Sequence, residues 1–105
     1  MRLIYFSQKE TEKIKNLLKE KDRFHTIIIS SEYGKYKKGD YVKTIWGERL
    51  VVTNVFLTKD FEQFKKEYLH YPELKDANLE EIKMAFTHKK VEIIELRRYR
   101  SKINF

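Results

Sequence analysis

Residues 25–52 read HTIIISSEYGKYKKGDYVKTIWGERLVV, and this stretch decides the fold that the sequence predicts. It begins with a β-branched run whose three consecutive isoleucines indicate a strand covered on both faces. A polar connector, residues 31–40, follows and carries Gly34 and Gly39, which mark turns. Two further apolar runs flank Trp46 and Gly47, so a β-hairpin is expected there.

The remaining elements follow from apolar periodicity and capping residues on either side of that stretch. Ser7 and Glu10 form a capping box that opens the first helix. The predicted elements are a strand at 3–6, a helix at 8–21, a strand at 24–30, hairpin strands at 41–45 and 48–57, helices at 60–69 and 78–86, and a strand at 90–99.

The order β-α-β-β-β-α-α-β lacks the regular alternation of a parallel α/β fold. It predicts an α+β fold: a small mixed β-barrel, or a curled sheet, with two or three flanking helices. A length of 105 residues favours one domain, residues 1–105, with a basic tail from about residue 100.

The charge balance restricts the class of partner. The formal net charge is +7 and 37% of the residues are charged, while 14% are aromatic, which is typical of a folded chain with a cationic surface. Such a surface favours polyanionic partners, namely RNA, DNA, anionic lipid or phosphorylated ligands, without choosing among them. Abundant Lys, Glu and Ile are typical of heat-adapted, for example thermophilic archaeal, proteins. An AT-rich genome gives the same composition.

Several chemistries are excluded or disfavoured by residues that the chain lacks. Without cysteine it has no disulfide, thiolate zinc site or cysteine nucleophile. The three histidines, His25, His70 and His88, have no metal-binding spacing, and no phosphate-loop, dinucleotide or serine-hydrolase motif occurs. We therefore expect no metal and no cofactor. The short apolar run near the N-terminus predicts neither a signal peptide nor a membrane span, so a cytoplasmic protein is expected.

The connector is the feature most suggestive of function. Tyrosines alternate with lysines at positions 33–38, where rings can stack on unpaired bases and lysines can neutralise phosphates. A second interpretation has the tyrosines attach the loop to the protein body, with the lysines as a solvated face. Trp46 likewise either faces a ligand or folds back on its hairpin. The basic residues near the C-terminus either extend a phosphate-binding surface or serve solubility.

The run RFHTIIISSEYGKYKKGDYVKT, followed by a hairpin and VVTNVFLTKDF, resembles the ASCH domains of the PUA-like superfamily. The Y-x-x-G-D motif at residues 36–40 and its place between two strands carry the resemblance. It implies a β-barrel with a cleft between barrel and helices. It also implies RNA binding, or recognition of a modified nucleobase, near the first helix, the next strand and this motif.

Some members of that family hydrolyse N4-acetylcytidine with a lysine, a threonine and a more distant glutamate. Here Arg23 stands where the lysine would be, and Thr26 keeps the hydroxyl. Phe24 and Ile28 replace a small hydroxyl residue and an arginine of the pattern. Arginine does not act as a base, because it stays protonated. Beyond the connector, the nearest acid is Glu48.

We therefore expect an RNA-binding domain, with a nucleoside amidohydrolase as the alternative that would use Arg23, Thr26 and Glu48. In the RNA-binding hypothesis the lysines contact phosphates, Tyr36 and Trp46 stack on bases, and Arg23 with Thr26 lines the cleft. The full expected set is Arg23, Thr26, Lys35, Tyr36, Lys37, Lys38, Lys43, Trp46, Arg98 and Arg100.

Overall fold

The computed structural model describes residues 2–99, so Arg100 lies outside the described residues. The elements are β1 (Arg2–Ile4), α1 (Gln8–Lys21), β2 (Arg23–Ser30), β3 (Tyr41–Thr44), β4 (Arg49–Thr58), α2 (Phe61–Tyr68), a 3-10 turn (Pro72–Leu74), α3 (Leu79–Ala85) and β5 (Lys90–Arg98). This is the predicted order of strands and α-helices. The 3-10 turn falls in a segment predicted to be a loop, and β1 begins one residue earlier than predicted.

The five strands form one mixed sheet in the order β1-β3-β4-β5-β2. β1 pairs with β3 in parallel, and the other neighbouring strands are antiparallel. Because the longest strands, β4 and β5, lie inside the sheet, their backbone groups are paired on both sides. Register shifts between Val52 and Asn54, so the alternation of β4 side chains changes face at this bulge.

The α+β class and the mixed sheet are confirmed, but the predicted barrel is wrong. A barrel requires the two edge strands to pair with each other. Here β1 is only three residues long and pairs with β3, while β2 pairs with β5. At the outer edge of β2, the amide of His25 donates to the Glu73 carboxylate at 2.7 Å. The edge is thus covered by the 3-10 turn, not by a strand.

The sheet is buried on both faces, as the consecutive isoleucines of β2 predicted. One core packs α1 on the sheet through Ile14, Leu18, Phe24, Leu50 and Leu96, among others. The other packs α2, the 3-10 turn and α3 on the opposite face through Phe64, Leu74, Ile82, Val91 and Ile93. Successive β5 side chains alternate between the two cores, which is the two-residue period of a strand.

The connector leaves the end of β2 and crosses the sheet to reach β3, so it lies against β4 and β5. This position places its lysines beside the strand ends. Within residues 2–99, no helix has the length and apolar character needed to cross a bilayer.

Candidate nucleic-acid interface

The Y-x-x-G-D segment is a turn fixed by its own aspartate. The Asp40 carboxylate accepts the Lys37 amide at 2.8 Å, and the Asp40 amide donates to the Lys37 carbonyl at 2.9 Å. Gly39 has φ +97°, which L side chains rarely adopt. Its amide donates to the carbonyl of Val52 at 2.7 Å, and Val52 donates back to Asp40 at 2.9 Å. The turn is therefore docked on β4 with its lysines pointing away from the sheet core.

Arg2 joins the N-terminus to this turn. Its guanidinium carbon lies 4.3 Å from the centre of the Tyr36 ring, and it donates to the Lys35 carbonyl and pairs with Asp40 at 3.6 Å. Tyr36 is only 6% exposed, and burial raises the pKa of its hydroxyl although the Arg2 charge lowers it. The expected stacking of Tyr36 on a base is corrected: the ring is part of the core and anchors the connector.

Two cavities lie on either side of Gly34 and share it as a wall. The connector pocket, about 340 Å³, is bounded by Tyr33, Gly34, Tyr36, Lys37, Lys38 and by Val55, Leu57 and Glu92 of the sheet. The outer cavity, about 580 Å³, carries Arg2, Lys35 and Lys89 with one acid, Glu32. Lys90 lies 5.5 Å from the Tyr33 ring centre. We call Arg2, Lys35, Lys37, Lys38, Lys89 and Lys90 the cationic face.

Glu92 forms the floor of the connector pocket. The residue is 1% exposed, and its two carboxylate oxygens lie 3.3 and 3.5 Å from the Gly34 amide. Burial raises the pKa of this carboxyl, and the Gly34 hydrogen bond lowers it only in part. A buried acid therefore lies beneath a rim of lysines.

A third cavity, the helix groove, lies between α1 and the segment from the 3-10 turn to α3, over the edge of β2. It measures about 410 Å³ and contains Thr26, which is 5% exposed. Its charged lining comprises two lysines, Lys9 and Lys13, against four acids, Glu10, Glu73, Asp76 and Glu81, with His25 beside them. This excess of acids does not suit the phosphates of a polyanion.

His25 forms a polar network at the wall of that groove. Its Nδ1 lies 2.9 Å from a Glu73 oxygen and its Nε2 lies 3.2 Å from a Glu95 oxygen, while the Tyr71 ring stacks on it at 3.9 Å. Burial raises the pKa of Glu73, but hydrogen bonds, chiefly from His25, outweigh it, so the pKa is lowered. The same holds for Glu95, where the Thr53 hydroxyl is the main donor. Burial and the hydrogen bond to Glu67 raise the pKa of Tyr71.

Other expected site residues lie away from the cationic face. Arg23 pairs with Glu95 at 3.9 Å, and Arg98 pairs with Asp22 and Glu48 at 3.3 and 3.1 Å. Neither lines any of the three cavities described above.

The hairpin residues Lys43 and Trp46 are also separate from these cavities. Lys43 is exposed on β3. Trp46 packs on the α1 core, 6.2 Å from the Phe6 ring, with the Lys15 ammonium 5.5 Å above it. The ring therefore packs against the protein body beside α1, and its stacking on bases stays a prediction.

The enzyme hypothesis required Arg23, Thr26 and Glu48 in one cleft. The structure places Thr26 in the helix groove, but neither Arg23 nor Glu48 lines that groove. Glu73, one of the four acids that line the groove with Thr26, contacts the neighbouring His25, and sequence reasoning missed it. Among the described residues, no group of three or more His, Asp or Glu side chains is arranged to hold a metal ion.

Sequence reasoning also missed Arg2, Lys89, Lys90 and Glu92 on the connector side of the molecule. The first three lie at chain positions distant from the connector, and strand pairing brings them to it: Ser30 is the register partner of Lys90. Glu92 lies between Val91 and Ile93, so the alternating pattern gives it a polar-face position and does not indicate its burial.

Comparison with known proteins adds information on the fold. No family model and no curated protein matches the chain. A solved structure that is similar is that of the hypothetical protein PH0355, with a TM-score of 0.60 and 15% sequence identity over 94% of this chain and 100% of that chain. This likeness concerns the fold alone.

Proposed function

We propose that this protein binds unpaired RNA on the cationic face, in the manner of an ASCH-type, PUA-like domain. One observation carries the proposal: six basic side chains from β1, the connector and the start of β5 gather around two adjacent cavities. The acids that line those cavities are Glu32 and the buried Glu92.

The distribution of charge supports this location over the helix groove. A chain with +7 formal charge can carry its cations evenly, and the helix groove shows that this one does not. Phosphates bound at the cationic face would displace counterions, so affinity would fall as salt rises. Arg2 and Asp40 hold the connector in place, so the connector loses little conformational entropy when RNA binds.

The ASCH-type assignment rests on the Y-x-x-G-D turn and its place in the fold. The Asp40 carboxylate accepts the Lys37 amide, and Gly39 adopts a positive φ, which explains why the motif has aspartate and glycine at these positions. The aromatic contribution differs from the sequence expectation. Tyr33, 36% exposed, lines the connector pocket and is the ring available there, whereas Tyr36 is a structural anchor.

The test is a titration of a fluorescent single-stranded RNA against the wild type and two charge-matched variants. Lys37→Ala with Lys38→Ala removes two cations of the cationic face. Lys19→Ala with Lys21→Ala removes two exposed cations from the last turn of α1 and serves as the control.

The connector variant is expected to reduce the log–log salt slope by about 1.4, since each contact on a single strand contributes about 0.7. The control variant is expected to keep the wild-type slope. Equal losses in both variants would show that binding follows net charge only. Absence of binding by the wild type at low salt would end the proposal.

A further inference from the structure

We propose that the connector pocket receives one unpaired guanine base, whose N1–H and N2 amino group donate to the two oxygens of Glu92. This inference rests on the proposed function, because it names the base that the RNA site selects. The cations at the rim would hold the phosphates flanking that base.

The hydrogen-bonding capacity of Glu92 points to a ligand with N–H groups. An ionised carboxylate has about four acceptor positions. Within residues 2–99, its donor is a single amide, Gly34, at 3.3 and 3.5 Å, which is beyond the usual 2.7–3.2 Å range. Leaving a buried acceptor mostly unpaired is unfavourable, so a ligand that supplies donors there gains affinity.

Gly34 is the connector residue that contacts Glu92 at the base of the pocket. Its φ of +84° is the left-handed conformation that favours glycine, and this conformation brings its amide to Glu92. The connector is thus positioned by the same acid that the base would contact. A ligand bound to Glu92 would alter the surroundings of the Gly34 amide directly.

The rest of the pocket suits a flat apolar ring with a phosphate attached. Val55, Leu57 and the tyrosine rings form apolar walls, and Leu57 is 51% exposed before a ligand binds. The volume of about 340 Å³ lies within the range of small-ligand sites. Lys37 and Lys38 line the same cavity, so one end of the pocket suits an anion and the floor suits N–H donors.

Guanine is the standard base that presents two adjacent N–H donors to a pair of carboxylate oxygens. Cytosine and adenine present one amino group beside an acceptor nitrogen, and uracil presents one imino N–H between two carbonyls. An acceptor-only carboxylate would repel those neighbouring acceptors. Burial raises the pKa of Glu92, and a protonated acid would instead pair with adenine or cytosine, which the experiment detects.

The experiment measures the binding of uridine decamers with one central G, inosine, A or C to the wild type, Glu92→Gln and Glu12→Gln. Glu12 is an exposed acid of α1 and gives the matched control. We expect G to bind at least about fivefold more tightly than A or C, with inosine between them because it lacks the amino group. Glu92→Gln should remove this preference and keep the salt-dependent binding, and Glu12→Gln should change neither.

Equal binding of all four decamers, a preference for A or C, or a G preference unchanged in Glu92→Gln would overturn the guanine assignment and leave RNA binding intact. Absence of binding by every decamer would reject the proposed function itself. If Glu92→Gln does not fold, the wild type still gives the answer by NMR. Guanosine monophosphate should shift the Gly34 amide resonance more than adenosine monophosphate does, and equal shifts would contradict the assignment.

Discussion

Glu73 shows how one side chain completes an edge of this sheet. Its carboxylate accepts the His25 amide at 2.7 Å and faces the His25 ring at 2.9 Å. The amide belongs to β2, which has a strand partner, β5, on one side. The acid therefore satisfies a backbone donor that a barrel would have paired with another strand.

We predict that Glu73→Gln lowers the free energy of unfolding by about 1–3 kcal/mol, because charge-assisted hydrogen bonds to His25 are lost. Since the folded-state pKa of Glu73 is below the ordinary 4.5, its ionised form favours the fold. That contribution is complete above about pH 4.5 and is lost as the pH falls through the folded-state pKa. Chemical denaturation between pH 3 and 7 measures it.

The exposed Glu12→Gln serves as the control for that prediction. The wild type should lose its advantage over Glu73→Gln at the acid end of the range. If the free energies of unfolding of the wild type and Glu73→Gln differed by the same amount at every pH, the effect would not come from the Glu73 charge.

At the residue scale, sequence reasoning identified which side chains the connector carries but not which of them face solvent. Tyr36 and Lys37 are neighbours, and a loop has no fixed period from which their directions follow. Burial of Tyr36 depends on Arg2, 34 positions away in the chain. The pairing of β1 with β3 brings Arg2 close to Tyr36, and this pairing cannot be read from local sequence patterns.

Among the elements, α1 is the one whose limits were predicted most closely, because its ends carry local signals. The Ser7 hydroxyl accepts the Glu10 amide at 3.2 Å, and the Glu10 carboxylate accepts the Ser7 amide at 3.2 Å. The helix ends at Asp22, which has φ 60°. Each end of the helix is thus determined by contacts between residues that are at most four positions apart in the chain.

We predict that Ser7→Ala destabilises the protein by about 1 kcal/mol, since two amides at the start of α1 lose their reciprocal arrangement. Thermal and urea unfolding measure the change. Ser31→Ala, at an exposed connector position, is the control and should leave stability within about 0.5 kcal/mol of the wild type. A loss no larger than that of the control would show that the capping box adds nothing to global stability.

Elements without such local signals were predicted less well. The 3-10 turn begins at Pro72, and its contact with β2 depends on Glu73. Glu73 has no sequence pattern that distinguishes it from a surface acid. The barrel prediction was wrong for a similar reason, because the order of strands along the chain does not reveal whether the two edge strands pair with each other.

At the scale of the whole molecule, the helix groove and the cationic face differ in the balance of their charges. Among the charged residues of the helix groove, acids outnumber lysines, whereas the cationic face consists of lysines and Arg2, although both adjoin β2. The net charge of +7 predicted a polyanion partner but not a location. The topology brings Arg2, the connector and the start of β5 together, which is the basis of the location that we propose.

The most direct measurement is an amide-resolved NMR titration of the wild type with a uridine decamer carrying one central guanine. Binding at the cationic face predicts the largest shifts at Gly34, Lys37 and Gly39, with small shifts at Thr26 and Ala77 in the helix groove. Shifts concentrated at Thr26 and Ala77, with the connector amides unchanged, would contradict the central claim.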